Sequence, residues 1–213
     1  MKIVNYNNIF ITLMIKAIIF DWGGVLIESP SKGIISYCAN YLKVDVKEFD
    51  RVYQKYKQDF QMGKISENEF WNRVSLDLGI QKPPIHSLWK DAFIASYIEK
   101  KDIFNIVSNL RKNGYKIGIL SNTEMPATRF FYEQNYNLFD NIVFSCNVGV
   151  KKPDSQIYKI ILKKLHIQPK EAVIIDDREE NIVGANNVGM NAILFINKNQ
   201  LLKTLSFFNI LAT

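Results

Sequence analysis

The sequence predicts an α/β fold: a Rossmann-like, doubly wound parallel sheet with an all-helical subdomain inserted after its first strand. Five short runs rich in Ile and Val have the length and composition of strands buried on both faces. Helical patterns separate the last four runs, the alternation that a parallel sheet requires. Residues 29–98, between the first two runs, read as helical and far exceed the dozen or so residues that one crossover needs.

The expected strands are Lys16–Phe20, Lys116–Leu120, Asn141–Ser145, Ala172–Asp176 and Asn191–Ile196. A helix over Glu99–Asn113 stops at Gly114, a residue suited to the left-handed turn that ends helices. Another over Asp154–Leu165 sets Ile157, Ile160, Ile161 and Leu165 on one face. Within the insertion, Asp45 with Glu48 marks one helix start and Ser66 with Glu69 a second. Gly79 ends that second helix, and Pro83-Pro84 breaks the chain before the next. Phe70, Trp71 and Trp89 fall at helical spacing and read as the insertion's core rather than as a substrate platform. The expected domains are a core of residues 14–28 and 99–213, a helical cap of 29–98, and a flexible extension of 1–13. Asn5, Tyr6, Asn7 and Asn8 interrupt any signal-peptide core in that extension.

Composition bounds the function class. An apolar content of 47% with 23% charged residues in 213 is that of a soluble globular protein. The 27 Lys+Arg against 21 Asp+Glu give a net charge of +6, but the lysines are dispersed. That dispersal favours solubility and a mild attraction for anions over a nucleic-acid partner. No apolar run approaches the ~20 residues of a membrane span. Cys38 and Cys146 have neither metal nor redox spacing and read as free thiols of a reducing compartment, so the cytoplasm is expected. His86 and His166 are isolated and receive no role.

The polar residues with chemical potential lie where strands end. In an open parallel sheet, ligands bind at the carboxyl ends of the strands. Asp21 follows Ala17-Ile18-Ile19-Phe20 and precedes Gly23-Gly24, where glycine allows a sharp turn and close approach. Ser121-Asn122-Thr123 follows the second strand, and Lys152 precedes Pro153 after the third. Asp176-Asp177 closes the fourth, with Asn181 four residues beyond. Three carboxylates converging with a lysine and a hydroxyl suit a hard cation such as Mg²⁺ and a phosphate. Ser121 equally suits the cap of a following helix, and Asp176-Asp177 a helix N-cap pair.

In order and spacing, Phe20-Asp21-Trp22-Gly23-Gly24-Val25-Leu26, Leu120-Ser121-Asn122, Lys152-Pro153 and Asp176-Asp177 with Asn181 resemble the four motifs of the haloacid dehalogenase superfamily. The stretches Val150–Asp154 with Ile157-Tyr158, Leu120–Thr123 and Ile175–Ile182 are similar to its α-D-glucose-1-phosphate phosphatase-like branch. The resemblance implies a Mg²⁺-dependent phosphatase that acts through an aspartyl-phosphate on Asp21. It implies Asp21, Gly23 (through its carbonyl), Asp176 and Asp177 as metal ligands. Ser121, Asn122 and Lys152 would hold the phosphoryl group, and Asn181 would orient the last loop. Tyr158 would pack beside the third motif. The expected partner is a small phosphorylated metabolite such as a sugar phosphate, acted on by a monomer or homodimer.

One departure stands out. Most phosphatases of the superfamily carry a second Asp two residues after the nucleophile as general acid and base, and here Gly23 occupies that position. A substrate with a good leaving group, a stand-in donor such as Glu28 or Glu124, a metal-bound water, or slow turnover would each account for it. The alternatives are a 2-haloacid dehalogenase-type hydrolase, which also lacks the second Asp but carries serines in place of Asp176-Asp177, and a low-turnover phosphate- or metal-binding module.

Overall fold

The computed structural model describes residues 14–84 and 86–210, so the expected extension, 1–13, lies outside the described residues. Five parallel strands form one sheet: β1 (Ala17–Phe20), β2 (Lys116–Ser121), β3 (Asn141–Phe144), β4 (Ala172–Asp176) and β5 (Asn191–Leu194). Their spatial order is β3-β2-β1-β4-β5. The chain leaves β1 in one direction for β2 and β3, then crosses to β4 on the other side. The sheet therefore switches direction between β1 and β4, where a crevice opens at the strand ends. Ala17 pairs in register with Ala172 and Phe20 with Ile175, so Asp21 and Asp176 emerge side by side.

β1 is fully buried, as a central strand covered on both faces must be. Side-chain alternation sends Ile18, Phe20, Ile117, Ile119, Val173 and Ile175 into one core, and Ala17, Ile19, Leu120, Ala172 and Ile174 into the other. The helices are α1 (Ser31–Leu42), α2 (Val46–Gln61), α3 (Glu67–Leu78), α4 (Leu88–Ser96), α5 (Lys101–Lys112), α6 (Met125–Glu133), α7 (Ser145–Val148), α8 (Ser155–Leu165), α9 (Glu179–Asn187) and α10 (Lys198–Phe207). α8 packs against β2, β3 and α9, contributing Ile157, Tyr158, Ile161 and Leu165 to the second core.

The first four helices form the inserted cap. Asp45 caps α2 by accepting the Lys47 and Glu48 amides at 2.9 and 3.0 Å. Ser66 caps α3 by accepting the Glu69 amide at 3.1 Å, while the Glu69 carboxylate is taken by Arg73. Gly79 ends α3 at φ 65°. The cap has an aromatic core: Phe60 stacks on Phe70 with centroids 4.4 Å apart, and Phe49 stacks on Trp71. The chain enters and leaves the cap along a short antiparallel pairing. The Glu28 amide donates to the Ile98 carbonyl at 2.8 Å and the Lys100 amide to the Leu26 carbonyl at 3.0 Å. The Lys100 ammonium adds a bond to the Gly24 carbonyl at 2.8 Å. Among the described residues no helix is long and apolar enough to cross a membrane.

Candidate active site

A cavity of about 190 Å³ opens at the carboxyl end of the sheet, between β1, β2, β4 and the cap. Asp21, Gly23, Ser121, Asn122, Lys152, Asp177 and Asn181 all line it. Asp176 lies behind them with no exposure.

Lys152 is the hub. Its ammonium is 3.0 Å from Asp21 Oδ1 and 2.5 Å from Asp176 Oδ2, with a third bond to the Leu120 carbonyl at 2.8 Å. A lysine with 2% exposure needs such satisfaction, because an unpaired buried charge costs several kcal/mol. Burial pulls the Lys152 pKa down, but the charges of Asp21 and Asp176 outweigh it and the net shift is upward. Asn122 holds the lysine's backbone at both ends: its amide nitrogen donates to the Lys152 carbonyl at 2.9 Å, and its amide oxygen accepts the Lys152 N–H at 2.8 Å.

Asp21 Oδ1 also accepts the Trp22 amide at 2.7 Å. Burial pushes the Asp21 pKa upward, Lys152 opposes that, Asp176 adds to it, and the result is about 6. Both oxygens of Asp176 are engaged: Oδ1 accepts the Arg178 amide at 3.0 Å and the Asn181 side chain at 2.8 Å, while Oδ2 faces Lys152 and keeps acceptor capacity. Asn181 is fixed in turn by the Tyr158 hydroxyl, which donates to its carbonyl at 2.8 Å. Asp177 is exposed toward the cavity, its pKa raised by burial and by Asp176. Ser121 is 4% exposed and within hydrogen-bonding reach of Asp21. It does not cap α6, whose N-cap residue is Glu124.

Asp21, Asp176 and Asp177 bring one oxygen each within 4.8 Å of one another. This donor set can coordinate a divalent cation such as Mg²⁺, which prefers carboxylate oxygen. Two further features fit an ion. Asn181 Oδ1 is buried and without a hydrogen-bond partner, in a residue that lines the cavity. Gly24 has no Cβ where one would overlap the Asp177 carboxylate.

The outer half of the cavity is built by the cap and was not legible in the sequence. Glu124, 5% exposed, accepts the Tyr53 hydroxyl of α2 at 3.1 Å and the Trp89 indole of α4 at 3.3 Å. Burial raises its pKa despite the bonds from Gln61, Tyr53 and Trp89. Ser145 adds a second tie to the cap, accepting the Thr123 amide at 3.0 Å and donating to the Gln61 carbonyl at 2.6 Å. Trp89 thus belongs to both the aromatic core and the cavity wall, whereas Phe70 and Trp71 do not line this cavity. Lys57, Gln61, Lys151 and Arg178 complete a strongly polar lining. Glu28, a candidate donor from the sequence, lies outside this wall and pairs with Lys100 at 3.5 Å. Cys38 and Cys146 are buried free thiols.

The chain matches the haloacid dehalogenase-like hydrolase family over residues 15–189. It is 26% identical over 179 residues to a sesquiterpene phosphatase of Aspergillus oryzae, covering 82% of this chain and 87% of that one. It is also 26% identical to the glyceraldehyde 3-phosphate phosphatase of Pyrococcus abyssi, with 85% and 82% covered. Among solved structures, a magnesium and phosphate complex of a haloacid dehalogenase family enzyme from Bacteroides thetaiotaomicron superimposes with a TM-score of 0.69 at 22% identity. That superposition covers 84% of this chain and 93% of the other, and shows the shared fold. With the match running from just before β1 through α9 and the carboxylate cluster at its switch point, the chain belongs to the haloacid dehalogenase-like hydrolases.

Proposed function

We propose that the protein is a Mg²⁺-dependent phosphatase acting in the cytoplasm on a small, polar phosphomonoester such as a sugar phosphate. The observation that carries this reading is the pairing of Asp21 with Lys152 at 3.0 Å in a cluster with Asp176 and Asp177. The ion would be held by Asp21, Asp177, Asp176 and the Gly23 carbonyl. When bound, it supplies charge neutralisation for the phosphoryl oxygens and fixes them near the nucleophile.

The chain's own groups do the rest. The Trp22 amide and Lys152 hold Asp21 Oδ1, and the Asp21 carboxylate attacks phosphorus to form the aspartyl-phosphate. Lys152 offsets the negative charge that gathers on the phosphoryl oxygens. Ser121 and the backbone beside Asn122 receive those oxygens, while the Asn122 side chain keeps Lys152 in place. Asn181 orients the loop that carries Asp176 and Asp177. The cap excludes water from the reacting centre, and its Lys57, Gln61 and Tyr53 present polar groups to a hydroxylated leaving group. The D-ribitol-5-phosphate phosphatase of Bacteroides thetaiotaomicron, 25% identical over 184 residues, and the similarity of the motif stretches to the glucose-1-phosphate phosphatase-like branch support that substrate class.

The test is turnover of 4-nitrophenyl phosphate and a sugar-phosphate panel, with and without Mg²⁺, beside Asp21→Asn. Mg²⁺-dependent phosphate release that the substitution abolishes is the expected result. Metal-independent halide release from a 2-haloacid, with no phosphate release, would assign the chain to dehalogenation instead. Tight phosphate binding with no turnover in any assay would make it a binding module.

A further inference from the structure

Gly23 leaves no carboxyl two residues beyond Asp21, yet nothing in the backbone imposes this. Gly23 lies outside the left-handed region, and a Cβ there would meet Pro30 Cδ at 3.4 Å, an ordinary contact. The carboxyls around the cavity differ sharply in what they are free to do. Asp21, Asp176 and Asp177 form the cation-binding cluster. Glu180 is exposed and paired with Arg178 at 3.1 Å. Glu28 lies outside the cavity with its side chain 57% exposed. Glu124 is buried, lines the cavity, and directly follows the Ser121-Asn122-Thr123 turn. Its bonds to Tyr53 and Trp89 place it on the wall that faces the cap, where a leaving group would lie.

We propose that Glu124 is the catalytic acid and base of this enzyme, taking the role that a carboxyl at position 23 would fill. The proposal rests on the phosphatase reading. In the first half-reaction Asp21 forms a bond to phosphorus as the bond to the ester oxygen breaks. The electron pair goes to that oxygen, and the Glu124 proton joins it to release an alcohol. In the second, the Glu124 carboxylate takes a proton from the water that bonds to phosphorus. The bond between Asp21 and phosphorus then breaks, releasing inorganic phosphate and restoring both carboxyls.

Burial favours a proton on Glu124, raising its pKa against the hydrogen bonds that Tyr53, Trp89 and Gln61 donate to it. Tyr53 from α2 and Cys146 from α7 face it as neutral groups, since burial pushes their own pKa values upward. Lys151 is the facing cation, and its pKa is drawn down by burial and by the charges of Lys57 and Arg178.

Leaving-group dependence tests the assignment. With Mg²⁺ present, Glu124→Gln is expected to lose about 100-fold in kcat/KM, which reports the first half-reaction, on alkyl phosphates, the scale of general acid catalysis, and only a few-fold on 4-nitrophenyl phosphate, whose leaving group needs no proton. Adding Gly23→Asp to Glu124→Gln restores a carboxyl near the reacting bond and is expected to recover alkyl phosphate turnover. Damage to the cap tie alone would depress both substrates equally and would not be rescued from position 23. Equal losses of kcat/KM on both substrates, or no recovery in the double variant at an unchanged melting temperature, would overturn the proposal. So would a steep dependence of the wild-type rate on leaving-group pKa, which needs no variant to measure. If the wild type releases phosphate from no ester, the phosphatase reading itself falls, and this one with it.

Discussion

Gly24 and Asp177 occupy a space that admits only one side chain. A Cβ built on Gly24 would overlap the Oδ2 and Cγ atoms of Asp177, and Gly24 itself sits at φ +95°. The turn after Asp21 therefore sets the position of an acidic group contributed by a strand end more than 150 residues later.

Gly24→Ala should accordingly act twice. The left-handed backbone costs roughly 1–2 kcal/mol with a side chain, and the displaced Asp177 should raise the Mg²⁺ concentration needed for half-activity several-fold. A thermal melt reads the first effect and a metal titration the second. A normal titration would show that the Asp177 carboxylate is not held by this contact.

Asp176 and Asp177 are adjacent but should fail differently. Asp176→Ala removes one of the two carboxylates on buried Lys152 and should cost about 3–5 kcal/mol, the scale for breaking a buried ion pair. Asp177→Ala, at an exposed position, should leave stability within about 1 kcal/mol and shift the metal dependence. Urea denaturation of both variants separates the two. Equal stability losses would contradict the division.

The pH dependence of stability should carry the signature of Asp21. Its folded pKa of about 6 lies above the ordinary 3.8, so the folded state holds a proton that the unfolded chain has already lost between these values. Stability in metal-free buffer should therefore fall as pH rises from about 4 to 6.5, by on the order of 3 kcal/mol. Asp21→Asn should flatten that slope. A wild type and variant with parallel pH profiles would refute the shift.

Gly23→Ala tests whether the missing acid is a matter of space. With an unstrained φ and one contact at 3.4 Å, the alanine should be tolerated and should stabilise by about 0.4–1 kcal/mol through the unfolded chain. A loss of more than about 1 kcal/mol would mean the turn requires glycine at both positions.

The strands were legible because β1 and its neighbours are buried on both faces, and only continuous apolar runs satisfy that burial. Observed strand ends fall within two residues of the expected ones, as for Asn191–Leu194 against Asn191–Ile196. α10 and the short α7 were not anticipated. In α7 the four residues Ser145–Val148 are too few to show a period. The two aspartates of the fourth motif look equivalent in sequence, and only burial distinguishes Asp176, locked on Lys152, from Asp177, open to the cavity. Asn122 looks like a phosphate ligand until its side chain is found spent on the Lys152 backbone. Glu124 reads in the sequence as one possible stand-in donor, but its partners, Tyr53 and Trp89, lie 71 and 35 residues away. Such contacts follow from how the cap lies on the core, and no local pattern encodes that.

The paired entry and exit of the cap, Glu28 with Ile98 and Lys100 with Leu26, make the insertion a graft. To the sheet, everything between those two hydrogen bonds is a single loop whose ends already meet. Closure entropy grows only with the logarithm of loop length, so a change in the length of the insertion adds little entropic cost to forming the sheet. The cap and the cluster of Asp21, Asp176 and Asp177 are thereby written in separable parts of the chain. Glu124, held by both parts, is the place where a new cap would have to be fitted to the old centre.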